Sequence, residues 1–182
     1  MIDSLRHMER TKQCTRCGEI KPFSEFGKHR LSPDGHAYQC KECGRERAKA
    51  YRASPMGVFI GLRGRQTFYA RHNDKRQKPF HLEKDLFLEW YAGQIKECHY
   101  CEISQENLAR IKDSQLRKVH RLTIDCKDND AGYFLENMVL SCNRCNAIKG
   151  DFFTYEEMLH IGREHIAPKW VELLTSTVRE KI

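Results

Sequence analysis

Apolar residues in this chain are sparse and come in short groups, and each group predicts a short element. Leu82, Leu86 and Trp90 recur every four residues, with Phe87 and Tyr91 beside them. That period predicts an amphipathic helix leading to the stretch "CHYC" at Cys98 to Cys101. Upstream, "GRERAKAYRAS" holds good helix formers and no breaker before Pro55. Gly57, Gly61 and Gly64 then argue against a helix until a short one around Gln66 to His72. Leu122 to Asp125 and Asn137 to Leu140 read as two short strands, joined by the turn-rich loop "CKDNDAGYFLE". "NRCNAIK" reads as a short helix closed by Gly150. Thr154 and Glu157 have the spacing of a capping box for the next helix. The segment from Trp170 to Ile182 reads as a last helix, with Val171, Leu174 and Val178 on one face.

Only 40% of the 182 residues are hydrophobic, and the mean hydropathy is -0.73. One large apolar core is therefore not expected, and small modules need staples. The first module offers Phe23, Phe26 and Tyr38 as a minimal core. No run of about 18 apolar residues crosses a membrane. The charged start "MIDSLRHMER" is unlike a secretion signal, so a reducing cytoplasmic setting is expected.

Nine cysteines in such a setting need a use other than disulfides. Eight form C-x-x-C pairs: Cys14/Cys17, Cys40/Cys43, Cys98/Cys101 and Cys142/Cys145. Two such pairs present four thiolates to one tetrahedral Zn2+, so two structural zinc ions are expected. Sequential pairing gives C-x2-C-x22-C-x2-C and C-x2-C-x40-C-x2-C. Spacing alone allows a crossed pairing as well. Cys126 is left over.

The formal net charge is +7, which two zinc ions and eight thiolates would lower to about +3. Its distribution says more. Residues 1–44 carry +2 and residues 79–182 carry -3. From Arg45 to Lys78, ten Lys and Arg stand against Glu46 and Asp74, a net +8. A block this basic is the electrostatic footprint of a nucleic-acid binder, or else a solvated helix face. Arg45, Arg47, Lys49, Arg52, Arg63, Arg65 and Arg71 are the candidate DNA contacts. The expected organisation is a zinc module with a basic helix (1–54), a basic connector (55–80) and a second zinc-bearing domain (81–182).

Strand, loop, strand and a short helix pinned by four cysteines is the ββα-metal arrangement, which makes the expected class α+β with small zinc-stapled modules and flanking helices. The stretch "CHYC…LTIDCKDNDAGYFLENMVLSCNRCNAIKGD" resembles the HNH, or His-Me finger, endonucleases over roughly Leu82 to Leu159. The N-terminal "CTRCGEIKPFSEFGK…CKECGRERAKAYR" is similar to the zinc module that often precedes such domains, an order found in small zinc-rich restriction enzymes.

The resemblance implies roles for particular residues. Asp125 matches the metal-binding aspartate at the end of the first strand. Asn137 matches the asparagine that braces the loop. Asn146 matches the motif's last position, which helps hold the catalytic ion. Lys149, one turn on, is expected to reach a phosphate. A carboxylate and an amide oxygen suit a hard cation such as Mg2+, which stabilises charge in an attack on a phosphodiester.

The family's general base is usually a histidine after the aspartate, and here Cys126 holds that place. A thiolate prefers soft metals to work beside Mg2+. Tyr133 in the loop is the favoured substitute, and His120 before the first strand is the other. The implied function is a metal-dependent endonuclease of restriction type acting on double-stranded DNA. Cutting both strands calls for a symmetric homodimer. A phage or mobile-element homing or nicking enzyme fits the same residues. A non-catalytic zinc DNA-binding protein is the alternative from another class.

Overall fold

The computed structural model describes residues 10–111 and 121–179, and the chain divides after Val58 into two units. In the first, β1 (Thr11–Gln13) and β2 (Ile20–Pro22) pair antiparallel around the knuckle of Cys14 and Cys17. A second hairpin, β3 (Phe26–Lys28) with β4 (His36–Cys40), delivers Cys40 to the start of α1 (Lys41–Ala53). The Cys40 side chain caps that helix by accepting from the Cys43 amide. The core is small: Cys14, Phe26, Cys40 and Cys43. Phe26 is buried, as the sequence suggests, but Phe23 is only half-buried and Tyr38 is exposed. Tyr38 instead faces the Lys12 ammonium, which lies 5.5 Å from its ring.

Ser54 ends α1 and begins α2 (Pro55–Arg71) by accepting a hydrogen bond from the Gly57 amide. Pro55, with no N–H to lose, takes the first helical position. The short helix expected around Gln66 is therefore 17 residues long. Gly57 is required by space, because a Cβ there would lie 1.9 Å from the Tyr51 carbonyl oxygen. Gly61 and Gly64 each cost roughly 1 kcal/mol against alanine. The burial of Phe59, Leu62 and Gln66, spaced three and four residues apart, offsets that cost.

The second unit gathers Phe59, Phe80 and Phe87 into one aromatic group, with ring centroids 5.4 and 6.0 Å from Phe59. Phe87 lies on α3 (Lys84–Gly93) and stacks on Tyr91. These two form the helix's inward face, and Leu86 is 54% exposed. The period that starts at Leu82 misplaces this face because Leu82, though buried, precedes the helix. Then follow α4 (Gln105–Arg110), capped by Ser104, and the hairpin of β5 (Leu122–Cys126) and β6 (Met138–Cys142).

Next, α5 (Asn143–Lys149) leaves β6 directly, and Gly150 closes it at φ +51°. The capping box of Thr154 and Glu157 starts α6 (Tyr155–Ile161). A single π turn, Gly162–Ile166, joins it to α7 (Ala167–Arg179). On α7 the inward residue is Trp170, joined by Leu173 and Leu174, whereas Val171 faces outward. The side chain of Val178 lies outside the described residues. Tyr100, Leu108, Val139, Met158 and Ile166 complete this core around the second cysteine group. The whole is α+β, with helices flanking a ββα hairpin. Among the described residues, no helix is long and apolar enough to cross a membrane.

Candidate active site

Two cysteine groups are built. The sulfurs of Cys14, Cys17, Cys40 and Cys43 lie within 4.8 Å of one another, and so do those of Cys98, Cys101, Cys142 and Cys145. The pairing is thus sequential. Main-chain amides aim at the sulfurs: Cys40 N lies 3.3 Å from Cys14 Sγ, and Cys145 N lies 3.3 Å from Cys142 Sγ. Amide bonds from Cys17 and Cys40 lower the Cys14 thiol to about 6. Four converging sulfurs with amide support fit Zn2+, so each group is able to hold one structural zinc ion. The second group ties the 98–101 knuckle to the end of β6 and the first turn of α5.

That tie lays α5 against β5. Asn146 Nδ2 donates to Thr123 Oγ1 at 3.1 Å and to the Ile124 carbonyl at 3.3 Å. The next residue, Asp125, is 4% exposed. Tyr100 donates its hydroxyl to Asp125 Oδ2 at 2.7 Å. Burial pushes the Asp125 carboxyl above the ordinary carboxylate range, while Tyr100, Lys149 and Lys78 pull it back. With its NH2 end turned to β5, the Asn146 amide has its oxygen end to offer a cation. A carboxylate and an amide oxygen on adjoining elements are a donor set that suits a hard divalent ion.

Lys149 is not where a phosphate contact would be. It is 1% exposed, and its ammonium donates to the Cys126 carbonyl at 2.8 Å and lies 3.7 Å from Asp125 Oδ2. The turn of α5 that carries it faces β5 rather than solvent, so the side chain is enclosed.

The loop from Cys126 to Asn137 is tightly held. Asn137 Nδ2 donates to the Asp128 and Gly132 carbonyls at 2.7 Å each, and its Oδ1 accepts from the Asp128 amide. Gly132, at φ +80°, passes so close to Pro79 that a Cβ would lie 2.3 Å from the Pro79 oxygen. Tyr133 follows, bonded through its amide to Pro79 and through its carbonyl to His81. Its side chain is buried beside Cys126.

Burial pushes the Cys126 thiol up to about 11. Burial and the neighbouring Cys126 also hold the Tyr133 phenol above its ordinary range, against the pull of Arg65. His120 lies outside the described residues.

Arg45, Arg47, Lys49 and Arg52 are all exposed on α1, and Arg45, Lys49 and Arg52 recur along one face of it. Arg63, Arg65 and Arg71 are exposed on α2. Two residues near Asp125 were not singled out by the sequence. Lys78 bonds Asn129 Oδ1 and lies 5.9 Å from the Tyr133 ring. Tyr100 sits inside a zinc knuckle, where an aromatic reads as packing. Its place between two ligating cysteines is the one local signal for it.

A buried aspartate near the end of β5, a braced loop, and a short helix that starts among four cysteines together make a ββα arrangement. Among solved structures the chain is similar to the rare-cutting HNH restriction endonuclease PacI, at 26% sequence identity and a TM-score of 0.49. The likeness covers 88% of this chain and 96% of that one. No protein-family model and no curated protein matches the chain.

Proposed function

We propose that this protein is a metal-dependent DNA endonuclease of restriction type, hydrolysing phosphodiester bonds in double-stranded DNA. The observation that carries the proposal is Asp125, buried at the end of β5 beside the strand residues that Asn146 bonds. The Asp125 carboxylate and the Asn146 amide thus come together from adjoining elements, two oxygen donors of the kind a hard cation takes. Asp125 and Asn146 would hold a Mg2+-type cation, which when bound stabilises the charge that develops on a phosphate under attack. Asn137 keeps the loop in shape. Tyr133 keeps its proton at neutral pH, so its part is to orient the attacking water by a hydrogen bond. The exposed arginines and lysines of α1 and α2 would grip the phosphate backbone. Cleavage of both strands would require two copies of the chain on a symmetric target.

One observation favours a second reading, a zinc DNA-binding protein that does not cut. Cys126 is fully buried and holds its proton to about pH 11, so the usual position of the base carries no base. Incubating the zinc-loaded protein with supercoiled plasmid and Mg2+ separates the readings. Discrete linear fragments are the expected result. Nicked circles would point to a nicking enzyme, and DNA that is bound but intact would establish the second reading.

A further inference from the structure

The side chain that fixes Asp125 comes from the second zinc knuckle. Tyr100 lies between Cys98 and Cys101 and is fully buried. The knuckle is pinned on two sides, by Cys98 N bonding the Ile103 carbonyl at 2.9 Å and His99 N bonding the Leu140 carbonyl at 2.8 Å. On a third side it meets the π turn. A Cβ on Gly162 would lie 2.4 Å from the Tyr100 main-chain oxygen and 2.8 Å from the Tyr100 Cβ, so glycine is what lets the turn press against the knuckle. Held this way, Tyr100 has little freedom, and its hydroxyl donates to Asp125 Oδ2 at 2.7 Å. The Lys149 ammonium lies 3.7 Å from the same oxygen.

A buried tyrosine needs an acceptor, and a main-chain carbonyl would satisfy it without bringing a charge into the core. The use of a carboxylate calls for another reason. We propose that Tyr100 is a positioning residue for the hard-cation site: by occupying Asp125 Oδ2 it fixes the carboxylate so that Oδ1 is presented to the metal, making the 98–101 knuckle a rigid support for the proposed active site. This rests on the reading of Asp125 as a cation ligand. Hydrogen-bonding partners behind a metal ligand typically change metal affinity by about 10–100-fold when removed. The side chain touches neither substrate nor metal in this scheme, so its effect passes through Asp125 alone.

The test is Mn2+ binding to the zinc-loaded, full-length protein, followed by electron paramagnetic resonance, with zinc content measured on the same samples. Tyr100→Phe should weaken Mn2+ binding by about 10-fold or more while both zinc ions are retained. Asp125→Ala should abolish it. Unchanged Mn2+ affinity in Tyr100→Phe, beside loss in Asp125→Ala, overturns the positioning role and leaves the Asp125 reading intact. Unchanged affinity in Asp125→Ala overturns both.

Should Tyr100→Phe lose zinc, the wild-type protein decides. With 13Cζ-labelled tyrosine, the Tyr100 resonance, assigned through its bonded neighbours, should move as Mg2+ is added and level off at saturation. A resonance that stays still through saturation overturns the proposal.

Discussion

The Lys149 ammonium lies 3.7 Å from the Asp125 carboxylate, and both side chains are enclosed, at 1% and 6% exposure. A lysine so buried is held by its partners, here the Cys126 carbonyl and Asp125. Removing one member of a buried charge pair typically costs about 3–5 kcal/mol, because the other charge is left uncompensated. Lys149→Met should therefore lower the unfolding free energy by that order in urea titrations of the zinc-loaded protein. A change below about 1 kcal/mol, the range of an exposed pair, would mean the ammonium is solvated. The same variant should leave the salt dependence of DNA binding unaltered, since an enclosed ammonium displaces no counterion.

That salt dependence should be steep. The candidate contacts on α1 and α2 are exposed, and five phosphate contacts would give a slope of about -4.5 in log affinity against log salt. Removing Arg45, Lys49 and Arg52 together should reduce the slope by about 3. A flat dependence in the wild-type protein would identify the basic block as a solvated surface.

Both cysteine groups should carry tightly held zinc, because each unit's core is built around its cysteines. Elemental analysis after gentle purification should return two zinc ions per chain. Cys142→Ser should cost one of them and loosen α5, because serine can still cap the helix but supplies no thiolate to tie it to the 98–101 knuckle. Retention of both ions in this variant would remove Cys142 from the ligand set.

Much of this could be read locally. The cysteine knuckles, the Gly150 terminator and the capping box of Thr154 depend on residues two to four apart, where spacing determines geometry. The inward face of α3 departs from the sequence period because a buried leucine just ahead of the helix joins that period. The full length of α2 is not legible in the sequence because the glycine penalty is local, while the packing of Phe59 and Leu62 that offsets it is tertiary. The Tyr100–Asp125 bond joins residues 25 apart in sequence. Neither it nor the burial of Lys149 leaves a periodic signature, so only the folded chain reveals them.

The Cys126 and Tyr133 pair gives a test of pH and of chemistry. The Cys126 thiol is raised from 9.0 to about 11 in the folded chain. The folded state thus holds that proton more tightly than the unfolded state does. The stability this contributes is whole below pH 9 and is lost as pH climbs towards 11. The difference in stability between wild type and Cys126→Ala should accordingly be flat from pH 7 to 9 and shift against the wild type above that. A difference that shifts below pH 8 would contradict the raised thiol.

In cleavage assays, Cys126→Ser should keep most activity. Tyr133→Phe should lose about 100-fold, the usual scale for a group acting on the attacking water. Full activity in Tyr133→Phe with a dead His120→Ala would transfer the role to His120.

The central claim is that Asp125 holds the cation that cutting requires. The most direct measurement compares wild type and Asp125→Ala on the same DNA in Mg2+, scoring cleavage and binding together at equal zinc content. The account predicts cleavage by the wild type, none by Asp125→Ala, and DNA affinities that agree within a few fold. Cleavage that survives Asp125→Ala at a comparable rate would contradict it.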